Sequence, residues 1–190
     1  MINTALEDKL RSLEDEIFYQ VDRQLWEKLR QDKLRDEKRQ QLGELMHVED
    51  EAMLDGLIKQ GIDNEKIAVL LMVPLVFVAW SDGRVTDAER KMILDITSHY
   101  TQGDADEMGK IIRQWLKRQP SEELWKAWQA YFVALPERAS KPATAMLGEK
   151  LFEDATKVAH ASDGFLSFGR LAPEKQQALD RLRAAIQIDQ

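Results

Sequence analysis

Residues 79–89 read Ala-Trp-Ser-Asp-Gly-Arg-Val-Thr-Asp-Ala-Glu, and residues 160–166 read His-Ala-Ser-Asp-Gly-Phe-Leu. In both places an apolar stretch with helical spacing ends at Ser-Asp-Gly, and a second helical stretch follows. About 80 residues separate the two copies, which indicates a duplicated unit of two helices joined by an acidic turn. We therefore expect a pseudo-symmetric helical domain in which the helices ending at Trp80 and Ser162 occupy equivalent central positions.

Helical spacing continues through the rest of this region, and no strand-like alternation stands out from it. The sequence predicts an all-α fold with helices over 49–60, 63–80, 86–100, 104–118, 121–135, 140–162 and from 173 onwards. The run 67–78 is apolar on all sides, so we expect it at the centre of the core, with Pro74 at a kink or where its missing N–H is tolerated. The expected core residues are Val73, Val76, Trp80, Ile93, Trp125 and Trp128.

Ahead of this region, residues 4–41 are predicted to form one long helix without glycine or proline. An apolar stripe runs along it at spacings of three or four, formed by Leu6, Leu10, Leu13, Ile17, Val21, Leu25 and Leu29. The simpler expectation is that this stripe folds back on its own domain. The alternative is an arm that binds a protein partner or a second copy of the chain.

Composition limits the class of protein. With 190 residues, the chain accommodates an N-terminal helical arm (1–45) and one helical domain (46–190). The net charge of −7 argues against nucleic acid as a partner, and the absence of cysteine excludes disulfides and thiol chemistry. The longest uncharged run, 67–81, is too short to span a membrane, and the N-terminus does not resemble a signal peptide. We expect a cytoplasmic protein.

The acidic turns have two interpretations. Asp82, Asp87, Glu89 and Asp163 provide the hard oxygen ligands that a weakly bound divalent cation such as calcium or magnesium prefers. Residues 82–89 match only the second half of an EF-hand loop, so an ordinary EF-hand site is not expected. Alternatively, Gly83 and Gly164 end helices, and residues 86–89 form a capping box in which Glu89 binds the Thr86 backbone.

The stretch 79–89 resembles the signature of the TerB family of tellurite-resistance and DjlA-like helical domains. The family pattern Ala-x-Ala-Asp-Gly-x-Val-x-x-x-Glu is matched at Ala79, Asp82, Gly83, Val85 and Glu89, with Ser81 in place of the second alanine. The resemblance implies a pseudo-symmetric helical fold over about residues 50–188, an acidic patch for divalent cations and a link to stress response. In the second copy, a longer and less acidic turn departs from that pattern.

We expect no enzymatic activity. The three histidines, His47, His99 and His160, lack metal-site spacing, and the sequence contains neither a phosphate-binding loop nor a nucleophile motif. Two functional classes follow from these observations. The first is a cation-linked stress-response module of the TerB type. The second is an interaction or scaffold protein that uses its N-terminal helix, with the acidic turns purely structural.

Overall fold

The structure is a computed structural model that describes residues 2–100, 105–161 and 171–186, although the side chains of 2–15, 17, 18, 105 and 106 are not included. The described residues form eight α-helices and two short 3-10 helices, with no strand among them. The predicted all-α class is therefore confirmed. The α-helices are α1 (Ile2–Met46), α2 (Glu51–Lys59), α3 (Val73–Trp80), α4 (Asp87–Tyr100), α5 (Ala105–Lys117), α6 (Glu122–Ala134), α7 (Lys141–Ala161) and α8 (Pro173–Ile186).

α3 is the central helix, as its uniformly apolar sequence predicted. It packs against α4, α6, α7 and α8, and six of its eight residues are buried. Val73, Val76, Ile93, Trp125 and Trp128 are buried as expected, whereas Trp80 is only partly buried. Direct packing of α3 on α7 brings the two predicted central helices together. The internal two-fold relation stays a prediction, and the second Ser-Asp-Gly turn (162–164) lies outside the described residues.

The segment before α3 differs from the sequence-based prediction. A single helix over 63–80 was expected, but residues Ile67–Met72 form a 3-10 helix and the α-helix begins only at Val73. Pro74 explains the division, because it lies in the first turn of α3, where its missing N–H leaves no helical hydrogen bond unmade.

The first helix does not fold back on the domain. Every side chain from Tyr19 to Gln31 is exposed, so the expectation that the domain covers this part of the stripe is wrong. α1 joins the domain near its C-terminal end, where it packs against α2 and α6 and buries Leu42 and Met46. The predicted boundary at residues 45 and 46 therefore lies within the buried end of α1, and we call residues 2–38 the arm.

Two indole N–H groups connect the helices around α3. Trp80 Nε1 donates to the carbonyl oxygen of Trp115 at 2.8 Å, and Trp115 Nε1 donates to Gln60 Oε1 at 2.8 Å. Trp125 and Trp128 on α6 contact each other with ring centroids 4.7 Å apart. Phe77 on α3 contacts Trp125 with ring centroids 5.3 Å apart, so indole groups connect α3 both with α5 and with α6.

Candidate functional site

The turn between α3 and α4 is built as a helix end. Gly83 has φ +85°, a left-handed conformation that glycine adopts without steric cost, and its N–H donates to the carbonyl oxygen of Trp80 at 2.9 Å. Asp82 Oδ1 accepts a hydrogen bond of 3.3 Å from the Arg84 N–H. The prediction that Gly83 terminates a helix is confirmed, and Asp82 stabilises the turn that follows.

The predicted capping box at the start of α4 is also confirmed. Glu89 Oε2 accepts from both the N–H and the hydroxyl of Thr86, each at 2.8 Å. In return, the Glu89 N–H donates to Thr86 Oγ1 at 3.2 Å. Glu89 is fully buried, at 0% exposure. One of its carboxylate oxygens is thus occupied by the cap, and the other points into the protein.

That second oxygen binds Lys175, a residue of α8 that is 1% exposed. Lys175 Nζ lies 2.6 Å from Glu89 Oε1, 3.0 Å from the carbonyl oxygen of Val78 and 2.8 Å from that of Ala79. These three acceptors match the three donors of an ammonium group. The carbonyl oxygens belong to the last turn of α3, where the helix dipole also favours a positive charge.

Lys175 therefore supplies the positive charge at the centre of this acidic turn. Asp82 Oδ2 is 3.7 Å from Lys175 Nζ, so two carboxylates and two carbonyl oxygens surround a single ammonium group. Carboxylate and backbone carbonyl oxygens are also the ligands of hard cations. In this chain the side chain of α8 occupies the position between them.

The four predicted metal ligands do not share one environment. Glu89 is buried and fully engaged, and Asp82 retains 27% side-chain exposure. Asp87 is wholly exposed, with Arg90 Nε 4.0 Å away, and Asp163 lies outside the described residues. Within the described part of the chain, no group of three or more His, Cys, Asp or Glu side chains is arranged to hold a metal ion. The cation site stays a prediction.

Sequence reasoning missed Lys175, the residue that completes the cluster. It follows Pro173 in the first turn of α8, where the positive end of the helix dipole disfavours a cation. A lysine in that position is a weak signal that another group compensates its charge. Nothing in the local pattern identifies that group as Glu89.

A second buried polar cluster connects α4 and α7. Asp154, which is 3% exposed, accepts hydrogen bonds from Tyr100 Oη at 3.1 Å, Lys150 Nζ at 3.1 Å and Lys157 Nζ at 2.9 Å. Burial alone would raise the pKa of Asp154, but these hydrogen bonds outweigh it and hold the pKa below its ordinary value. Burial and the neighbouring charge of Asp154 raise the pKa of Tyr100 to about 12. The cluster therefore holds α4 against α7, and Lys150 and Lys157 compensate the charge of Asp154.

The arm presents a different kind of surface. Apolar side chains along it are at least half exposed: Tyr19, Val21, Leu25, Trp26, Leu29 and Leu34. Trp26 is 72% exposed, which is unusual for the largest apolar side chain. Arg39 and Lys38 mark the point where α1 reaches the domain, since Lys38 Nζ lies 3.2 Å from Asp63 Oδ2 and Arg39 Nη1 lies 3.4 Å from Glu51 Oε2.

None of the described helices combines the length and apolar character that crossing a membrane requires. No protein-family model, curated protein or solved structure matches this chain. The resemblance to the TerB family therefore continues to rest on the motif at residues 79–89. Two structural features bear on function: the turn between α3 and α4, whose acidic groups surround Lys175, and the exposed arm.

Proposed function

We propose that this chain is a non-enzymatic interaction protein that binds a protein partner through the apolar face of its N-terminal arm. The carrying observation is the exposure of Trp26 and the neighbouring apolar side chains of α1. Contiguous apolar surface is rare on soluble monomers and marks sites of protein interaction. Val21, Leu25 and Leu29 recur at every fourth position, the spacing with which one helix inserts its side chains into a partner's groove.

The acidic turn has a structural role in this proposal. Glu89 caps α4 and pairs with Lys175, and Lys175 in turn satisfies the carbonyl oxygens at the end of α3. Three helices are thereby joined at one buried point. This arrangement supports the second of the two functional classes, in which the turns stabilise the domain that carries the arm.

Site-specific photo-crosslinking tests the proposal. A benzophenone side chain placed at Trp26 in the full chain should yield a covalent adduct in cells, because that position faces the partner. The same side chain placed at Met146, which is 74% exposed on α7, is the matched control and should yield none. The adduct at position 26 should disappear in the Leu25→Asp/Leu29→Asp variant, whose substitutions lie on the exposed face and leave the domain intact. Equal adduct formation at both positions would contradict the proposal.

The cation-linked stress-response function that the TerB resemblance implies has a separate test. Calorimetric titration with calcium, magnesium, manganese and zinc measures binding directly. Heat of binding that is lost on replacing Asp82 would favour that class over the one proposed here.

A further inference from the structure

We infer that the partner of the arm is a second copy of this chain, with the two arms packed antiparallel. The inference rests on the proposed function, since it requires that the arm be a binding surface. It specifies the occupant of that surface from the distribution of charge along α1.

Charge is divided between the two halves of the arm. In the sequence, residues 2–22 carry six acidic and two basic side chains, whereas residues 23–39 carry seven basic and four acidic ones. The acidic members of the first half are Glu7, Asp8, Glu14, Asp15, Glu16 and Asp22, and the basic members of the second are Arg23, Lys28, Arg30, Lys33, Arg35, Lys38 and Arg39. A parallel pair would bring like charges together. An antiparallel pair places each acidic half beside a basic half, which fixes the orientation.

The position of the charge boundary agrees with the length of the free helix. The boundary lies between Asp22 and Arg23. If an antiparallel pair is centred near Asp22, Leu6 of one copy lies opposite Lys38 of the other, and Lys38 is the last residue of the arm. The overlap therefore covers residues 6–38, which is nearly the whole of each arm.

Exposed apolar side chains lie at and beside the centre of such a pair. Val21 and Leu25 flank the midpoint, and Trp26 lies one turn beyond Asp22. In an antiparallel pair centred at Asp22, Leu25 of one copy lies opposite Tyr19 of the other, and the two-fold axis repeats the same contact, so a single patch is buried twice. A self-complementary patch of this kind is what a two-fold dimer interface requires.

The mass of the full chain in solution tests the dimer. Sedimentation equilibrium should give twice the mass of a single chain, and Leu25→Asp/Leu29→Asp should give a monomer. Val133→Asp is the matched control, because Val133 is 52% exposed on α6 and lies outside the arm; it should leave the dimer intact. A dimer that survives the double substitution in the arm would overturn the inference.

Spin labels test the orientation, and the natural absence of cysteine leaves no competing label site. With Lys33→Cys as the single labelled position, an antiparallel pair centred at Asp22 separates the two labels by 22 helical residues, or about 33 Å at 1.5 Å per residue. A parallel pair would bring them within roughly 10 Å, the distance between packed helix axes. Asp22→Cys should give the short distance. A short distance at position 33 would overturn the antiparallel arrangement.

The two proposals fail in different ways. A monomeric wild-type chain that still forms an arm-dependent adduct at position 26 with another protein would overturn the self-pairing and leave the proposed function standing. A monomeric chain without any such adduct would overturn both.

Discussion

Replacing Lys175 with methionine should destabilise the fold more than any change at a surface lysine. Methionine fills a similar volume but cannot neutralise Glu89, which is fully buried, and it removes the donor that lies 2.8 Å from the Ala79 carbonyl oxygen. Removing one member of a buried ion pair costs about 3–5 kcal/mol, because the remaining charge is left uncompensated. That loss is a large part of a total free energy of unfolding of about 5–15 kcal/mol.

Urea denaturation followed by circular dichroism measures this loss. With a slope of about 2 kcal/mol per molar urea, the midpoint of Lys175→Met should fall by roughly 1.5–2.5 M. Lys126→Met is the matched control, because Lys126 pairs with Glu123 at 2.8 Å with both side chains more than half exposed, and its midpoint should hardly change. The double variant Glu89→Gln/Lys175→Met should be more stable than the sum of the single changes predicts, since neither charge remains. Equal midpoints for Lys175→Met and Lys126→Met would refute the account of the buried pair.

Four further predictions concern the core, the acidic turn and the buried tyrosine–aspartate cluster. Val76→Asp places an unpaired carboxylate at a fully buried position of α3, which costs several kcal/mol and should unfold the chain at ordinary temperature. Val133→Asp, on the surface, should melt like the wild type. A Val76→Asp protein that is folded by circular dichroism would show that this face is not core. Millimolar calcium, magnesium or manganese should leave the melting temperature unchanged, and a rise that disappears in Asp82→Asn would instead support a cation site. The folded-state pKa of Asp154 lies below its ordinary 3.8, so its stabilising contribution is present above pH 3.8 and is lost as the pH falls through the folded-state value. In Asp154→Asn, the free energy of unfolding should depend less on pH in this acid range. Tyr100, with its pKa raised to about 12, should make stability decline from pH 10 to about 12, and Tyr100→Phe should remove that part of the decline.

Local features of the fold could be predicted from the sequence because their partners are close along the chain. The capping box needs only Thr86 and Glu89, three residues apart, and the left-handed turn needs only Gly83. The helical class and most of the buried faces follow from apolar spacing in the same way. Such signals are complete within one turn of helix, so no knowledge of the tertiary structure is required.

The buried lysine could not be predicted because its partner is remote. Lys175 and Glu89 are 86 residues apart, and apolar spacing identifies the faces of two helices without specifying which side chains meet. The start of α3 was missed for a different reason. Pro74 is compatible with a kink inside one long helix as well as with the first turn of a new helix, and the apolar run from Ile67 onwards does not distinguish between them. The exposure of the arm is likewise a tertiary property, since an amphipathic stripe has the same sequence whether or not its own domain covers it.

The positions of the five tryptophans allow intrinsic fluorescence to distinguish the arm from the helical domain. Trp80, Trp115, Trp125 and Trp128 lie in the domain and are shielded wholly or in large part from water, while Trp26 alone stands on the exposed arm. While the arm is unoccupied, iodide or acrylamide should therefore quench Trp26 before the other tryptophans, and its emission should be red-shifted. Occupation of the arm should blue-shift that component and protect it from quenching without altering the other four. Intrinsic fluorescence can thus follow binding at the arm separately from unfolding of the domain, with no added label.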